Sequence, residues 1–556
     1  MYSETRAYLS AAGVVLALAL TAHFALVFTT TGVALFGFLV SLHVVVDVFF
    51  HQPLPPGVIL PQLSTFIIVW IVLSVAIFGL WGWASWFIRS RHPKKKPDSG
   101  LLTNTHRRKQ NQRQFVMDSP FAFVHSKPFY ATREDSFCVV APSGSGKTVR
   151  FAVKMVAHAP GACITTSTRL DVFYLTARIR AKKGRALVFA PEYPTLKNYP
   201  NRVGVDIVAG CENPTVAMER ADAIVNAIPL GDNSTNGGFF KQSAHTLLRC
   251  MMHAAALGFP GTETHYDMRA VIDWLQDVTD DTPYTILREH PDANHRWLQD
   301  LRKFARGDAV ETGNNIQQTV AIILRSLSLD EILDAVCPSP NVEMLDLNSF
   351  VHSNDTLYLL SKKKGLAAPV ITAIVESLVS LAMDAGERHP LDPTLSIVLD
   401  ELCNVCPLPS APTLMTDGRG HGIQTAAIIQ GRRQCEERFG GNAADIIINL
   451  TSCLLLFGGS RDVQFLRSLS DLADQRSVTR KQVTVGPNGQ SQSSSEMKES
   501  VFSVGAIHDL AEGVALMFYR NLPAATVYLP AWWEENDSAE YETSQREIEK
   551  LIDKNG

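Results

Sequence analysis

The stretch from Val139 to Thr148 constrains this chain more than any other. An apolar run beginning at Phe137 meets Ala141-Pro142-Ser143-Gly144-Ser145-Gly146-Lys147-Thr148, and Val149 to Met155 can continue as a helix. Strand, glycine turn and helix N-terminus in that order is the setting a phosphate-binding loop requires. Gly144 and Gly146 let backbone N–H groups turn inward on an anion, to which the helix N-terminus adds partial positive charge. Ser143 through Thr148 are therefore the expected nucleotide-binding residues. Lys147 reaches the β- and γ-phosphates, and the Thr148 hydroxyl ligates Mg²⁺. The strict pattern opens with glycine, and Ala141 stands there instead.

A second stretch completes the chemistry. Leu395-Ser396-Ile397-Val398-Leu399-Asp400-Glu401 is an apolar strand ending in two acids. In a parallel sheet such a strand end opens on the nucleotide crevice. Asp400 is expected to hold the Mg²⁺ shell, and Glu401 to orient or deprotonate the attacking water. With the phosphate loop upstream, the pair reads as the site of a nucleoside triphosphatase rather than as a solvated turn.

Around these motifs strands and helices alternate. Gly161 to Thr166, Ala186 to Ala190 and Thr356 to Leu360 read as strands, and Leu170 to Arg180 and Pro369 to Ala385 as helices. That rhythm argues for an α/β fold with a parallel sheet. Between about Asn213 and Leu345 it gives way to helices alone: Thr215 to Ile228, Phe240 to Ala256, Tyr266 to Val278, His295 to Ala305 and Asn315 to Leu327. The expected organisation is a nucleotide-binding domain in two parts, residues 115–230 and 346–533, interrupted by an all-α insertion at 231–345. Ile446 to Phe457 and Val514 to Tyr519 offer further strands. Lys481 to Glu499, rich in Ser and Gln, reads as a mobile loop, and residues 534–556 as an acidic tail, helical at best.

Within residues 1–90, the expected membrane anchor, about Leu9 to Phe50 and then Val58 to Ile88 are almost continuously apolar, too long for a secretory signal and without a clear cleavage site. Tyr8 to Phe28 and Leu63 to Ile88 each suffice for a membrane span of about 20 residues. Gly32 to Phe50, which carries His43 and Asp47, leaves a third span or a re-entrant piece open. Arg89, Arg91, Lys94, Lys95 and Lys96 follow directly, so the remainder is expected in the cytoplasm. Residues 91–114 form a basic linker, a topology determinant that could also meet anionic lipid or a nucleic-acid backbone. All nine cysteines lie beyond the spans without a paired framework, which suits a reducing compartment. Cys403 and Cys406 invite a zinc or redox reading, but no second close pair exists, and two non-ligand cysteines are the expectation. The net charge of −4 excludes a wholly basic nucleic-acid coat.

Downstream, Gly418-Arg419-Gly420-His421-Gly422 precedes the strand Gln424 to Ile429, which ends at Gln430. A polar residue at that strand end can sense the γ-phosphate. An arginine on a glycine-flanked loop suits a finger offered to a neighbouring subunit's nucleotide, though composition alone is equally satisfied by a surface loop. Asp400-Glu401-Leu402, Asp417 to Ile423 and Ile428-Ile429-Gln430, with Phe239-Phe240 and the ending Leu522-Pro523-Ala524 and Pro530-Ala531-Trp532-Trp533, resemble the type IV secretion coupling proteins of the TraG/TraD kind. The resemblance covers most of the chain. It implies a RecA-like ATP-binding domain with an inserted all-α domain, multi-pass anchorage in the bacterial inner membrane and a homo-hexameric ring with ATP between subunits. It implies as partners a relaxase with single-stranded DNA, and the components of the secretion channel. By the same resemblance Arg419 falls at the family's trans-acting finger and Gln430 at its sensor. The nearest alternatives are an FtsK-like pump for double-stranded DNA, without a visible C-terminal DNA-reading module here, and a membrane receptor for secreted protein effectors.

Overall fold

The computed structural model describes residues 120–555 except for 125–126, 229–236, 263–264, 278–279, 306–326, 328, 341, 363–364, 474 and 487–488; before them it describes only residues 68 and 70–72. The expected membrane spans (those four residues aside), the basic linker and the helix expected from Asn315, up to Leu327, lie outside the described residues. The chain divides into two units, Met1–Lys96 and Pro97–Gly556, and the fold is that of the second.

Its strands are β1 (Ala122–Val124), β2 (Lys127–Phe129), β3 (Phe137–Val140), β4 (Cys163–Ser167), β5 (Ala186–Phe189), β6 (Val203–Gly204), β7 (Glu343–Met344), β8 (Thr356–Leu360), β9 (Leu395–Leu399), β10 (Ile423–Ile429), β11 (Cys453–Phe457), β12 (Gln475–Gly486), β13 (Gly489–Ser500), β14 (Val514–Tyr519) and β15 (Ala525–Tyr528). Eleven of them form one sheet in the order β2-β1-β15-β14-β11-β3-β10-β9-β4-β8-β5. From β11 to β5 all neighbours are parallel. Every residue of those strands is buried, because helices cover both faces, and they read as continuous apolar runs rather than as alternation. Alternate residues still serve different layers: Cys138 and Val140 enter one core, Phe137 and Val139 the other.

The sheet is not wholly parallel. β14, β15, β1 and β2 add an antiparallel wing beside β11, and Phe123 of β1 pairs with Tyr528 of β15, so the start of the domain closes on its end. Strands of three to six residues joined by short turns can reverse direction where a helical crossover cannot. On the other side, β6 and β7 pair in parallel, Gly204 opposite Met344. Among the described residues only helices lie between them, at Pro214–Ala227, Gly237–Leu257, Met268–Gln276, Thr282–Glu289, Trp297–Ala305 and Asp330–Val336. The two-strand neck thus gathers both ends of the helical stretch.

One reading of the sequence needs correction. Lys481 to Glu499 lies in the hairpin of β12 and β13, paired from Gln475↔Ser500 to Gly486↔Gly489. Its Ser and Gln content masks the β-branched Val478, Thr479, Val483, Thr484 and Val485 and the turn signal Gly486-Pro487-Asn488-Gly489. The C-terminal segment, read from the sequence as an acidic tail and helical at best, forms a docked helix. Helix Ser538–Asn555 buries Tyr541, and the Ser544 hydroxyl accepts from the Arg178 N–H and donates to the Tyr174 carbonyl, docking it on helix Asp171–Arg180. Its partners precede it by more than 360 residues, beyond what local composition reveals.

One helix among the described residues, Ala368–Gly386, is long and apolar enough to cross a membrane, but 61% of its apolar window is buried inside the domain. It is a core helix. On it, Glu376 borders a cavity of about 620 Å³ against helix Pro214–Ala227 and accepts a hydrogen bond from the Ser410 hydroxyl at 3.0 Å. Burial pushes its carboxyl from 4.5 up to about 7. Between those values the folded chain holds a proton that the unfolded chain has released, so this group's contribution to stability falls as pH rises through the window. The loss is about 3 kcal/mol by pH 8 relative to pH 4. Glu376→Gln should therefore raise the melting temperature at pH 8 by a few degrees relative to its effect at pH 5. Equal shifts at both pH values would contradict the buried, protonated carboxyl.

Candidate active site

The register of the central strands assembles the site. Val140, Leu399 and Ile429 end β3, β9 and β10 at the same edge of the sheet, since Ile429 pairs with Val140 and Ala427 with Leu399. The residues that follow them, Ala141 to Thr148, Asp400-Glu401 and Gln430, meet there, and Ala141 N–H still bonds the Ile429 carbonyl at 2.9 Å. Alanine at this place thus continues the sheet. Gly144 and Gly146 hold φ of +84° and +80°, a region that side chains rarely adopt, which is why glycine is required at both. A wide π turn at Thr148–Ala152 then starts the helix that continues as Val153–Ala157.

Lys147 points into the crevice, its Nζ 3.4 Å from Asp400 Oδ1 and 3.7 Å from Glu401 Oε1. Thr148 Oγ1 donates to Asp400 Oδ2 at 3.1 Å. Gln430 Nε2 donates to Glu401 Oε1 at 3.2 Å, and the Ser143 hydroxyl donates to Gln430 Oε1 at 3.4 Å. Six of the expected residues, Ser143, Lys147, Thr148, Asp400, Glu401 and Gln430, are thus joined in one network. Lys147 and Asp400 are 8% and 4% exposed, yet Lys147 Nζ, Asp400 Oδ1 and Ser145 Oγ have no hydrogen-bond partner. Buried polar atoms left in that state are costly and call for a ligand. Burial pushes the Asp400 carboxyl above its ordinary range, against the pull of Lys147 and with a further push from Glu401. The ammonium, held by two carboxylates without a close hydrogen bond, and the unpartnered Ser145 hydroxyl suit phosphate oxygens, and the Thr148–Asp400 pair offers the oxygen donors that Mg²⁺ takes.

Glu401 stands in the left-handed region, at φ 60° and ψ 49°. A non-glycine residue held there stores on the order of 1–3 kcal/mol. The turn swings its side chain back over the crevice and starts the short helix Leu402–Val405. Two residues that the sequence reading missed grip it from behind. Asn404 Nδ2 donates to Glu401 Oε2 at 3.4 Å, and Gln434 Nε2 donates to Asn404 Oδ1 at 2.9 Å. Their spacing, three after Glu401 and four after Gln430, would have signalled them only once both strand ends were known to open into helices.

Arg419 lies elsewhere. It is exposed in the single turn Gly418–His421 before β10, with no side-chain hydrogen bond or ion pair among the described residues. The seven residues of β10 put it ~23 Å from Gln430, at the opposite edge of the sheet. The structure does not bring it to its own chain's site. The turn itself is pinned, because His421 Nδ1 bonds the Met383 carbonyl at 2.8 Å. Cys403 and Cys406 are both buried free thiols, Cys403 beside Cys435 and Cys406 beside Thr372, and they share no site.

Two family models match the chain. One, described as type IV secretory system conjugative DNA transfer, spans residues 98–284, and the other, the TraM recognition site of TraD and TraG, spans residues 394–512. No curated protein sequence matches significantly. Among solved structures, the bacterial conjugative coupling protein TrwBdeltaN70 in complex with sulphate is 18% identical with a TM-score of 0.55, over 77% of this chain and 93% of that one. TrwB in complex with ADP and Mg²⁺ is 17% identical with a TM-score of 0.54, over 78% and 94%. The α/β P-loop fold is thus shared with TrwB. Together the two family models span more than half of the 556 residues, and the chain belongs to the conjugative DNA transfer coupling proteins of type IV secretion.

Proposed function

We propose that this coupling protein works as an ATP-hydrolysing motor, anchored in the inner membrane by its N-terminal spans with the bulk of the chain in the cytoplasm. It acts as a homo-hexamer, receiving a relaxase with its single-stranded DNA and passing it to the secretion channel. The observation that carries the hydrolytic part is the junction of Lys147, Thr148, Asp400, Glu401 and Gln430 at one sheet edge, with the Ser145 hydroxyl buried there without a hydrogen-bond partner.

In this reading Lys147 leaves the two carboxylates for the β- and γ-phosphates, and the glycine turn encloses them with backbone N–H groups. Thr148 and Asp400 are then free to hold Mg²⁺, which spreads the charge that develops on the phosphates. Glu401, released from the lysine but still gripped by Gln430 and Asn404, takes the proton of an attacking water. The helical stretch at 231–345, gathered at its neck by β6 and β7, is the part we assign to cargo selection. TrwB is seen both with ADPNP and with the GTP analogue GDPNP, which supports a purine nucleoside triphosphate for a fold of this kind.

The test is ATP turnover by the full chain in detergent, with and without single-stranded DNA. Turnover should rise with DNA, and Glu401→Gln should bind ATP normally while turnover falls by about 10²-fold or more. Full turnover in Glu401→Gln would remove the catalytic assignment. Turnover indifferent to DNA would favour a receptor for protein cargo.

A further inference from the structure

The helix carrying the phosphate loop is fastened along one side by basic residues spaced one turn apart, Arg150, Lys154 and His158. All three meet the segment that precedes the C-terminal helix. Arg150 donates to Glu534 and to Glu512, each at 3.1 Å, and Lys154 pairs with Glu535 Oε1. His158 Nε2 lies 3.6 Å from Asp537 Oδ2 and 3.3 Å from the Tyr541 hydroxyl. The two oxygens of Glu535 differ in state. Oε1 is occupied by the lysine, whereas Oε2 is buried without a hydrogen-bond partner on a side chain only 9% exposed.

Glu535 itself belongs to a cluster. His158, Glu535 and Asp537 each offer a ligand atom within 4.8 Å of the others, and among the described residues no other group of His, Cys, Asp and Glu does so. We propose that these three side chains bind a first-row transition-metal dication, Zn²⁺ foremost, which ties the C-terminal segment to the end of the phosphate-loop helix.

The donor set argues for the metal class. One imidazole nitrogen and two carboxylate oxygens, with a position left for water, suit Zn²⁺, Co²⁺ or Mn²⁺ and disfavour Mg²⁺, which takes oxygen alone. The site is therefore chemically separate from the oxygen donors at Thr148 and Asp400. A cation also answers the orphaned Oε2, whose desolvation otherwise goes uncompensated. Lys154 on the other oxygen of Glu535 fixes that carboxylate's orientation, as outer partners of metal ligands do. Asp537, 38% exposed, gives an ion its way in from solvent.

Co²⁺ titration of the full chain in detergent, in excess Mg²⁺ and without nucleotide, tests this through the visible absorption of bound Co²⁺. One Co²⁺ per chain is expected, displaced by Zn²⁺ and retained in Lys147→Ala, with at least about tenfold weaker binding in His158→Ala and in Asp537→Asn. Because Asp537 is partly exposed, Asp537→Asn keeps the fold and carries the test should His158→Ala fail to fold. Absence of stoichiometric Co²⁺ in the wild-type chain, or unchanged affinity in Asp537→Asn, would reduce the cluster to ordinary ion pairs.

Discussion

Lys147→Ala should yield a folded chain that no longer retains ATP. The ammonium is the cation nearest both Asp400 and Glu401, and it is buried. In a site this dry a charge-assisted contact to phosphate is worth far more than on the surface. Its removal should weaken nucleotide binding by about 10²-fold or more, and turnover at least as much. The substitution also leaves two carboxylates facing each other without their cation, and buried charge stripped of its partner is costly. Asp400, already pushed up by burial, is pushed further toward the neutral acid once the pull of Lys147 is gone, which eases the burden on the fold while weakening a Mg²⁺ ligand. Equilibrium binding of a fluorescent ATP analogue, with melting curves to confirm folding, measures both parts. Unchanged affinity in a folded variant would show that the glycine turn does not grip a triphosphate through this lysine.

How far such a site can be read from the chain depends on the range of the contacts that build it. The phosphate loop and the Asp400-Glu401 strand end are local patterns, each a buried apolar run broken by residues with no reason to be there except chemistry. Parallel strands covered on both faces keep that signal clean, which is why β3, β4, β8 and β9 were legible. Of the antiparallel wing only β14, read as Val514 to Tyr519, was legible. β1 and β2 are three residues long, and β1 is defined by a partner, β15, about four hundred residues away. The same distance hides the fastening of Arg150 by Glu534 and of Lys154 by Glu535. Nothing in the sequence near Glu401 announces its left-handed backbone either, since no glycine or asparagine stands at that position. Asn404 and Gln434 become visible only through that turn.

The position of Arg419 yields the second large effect. A side chain ~23 Å from its own chain's Gln430, exposed and on a pinned turn, can serve hydrolysis only by meeting another subunit's nucleotide. Head-to-tail packing of subunits around a ring would bring one sheet edge against the opposite edge of its neighbour. Arg419→Ala should then lower ATP turnover by about 10³-fold while leaving nucleotide affinity nearly unchanged, because the charge it neutralises grows only in the transition state. Glu401→Gln should be nearly inactive for a different reason, with its arginine intact. Mixed in equal amounts, the two variants form about a quarter of their interfaces between a chain with Glu401 and a neighbour with Arg419. Turnover should recover toward that fraction. Crosslinking that shows mixed rings without any recovery would place Arg419 outside the reaction, and full activity of Arg419→Ala alone would do so more directly.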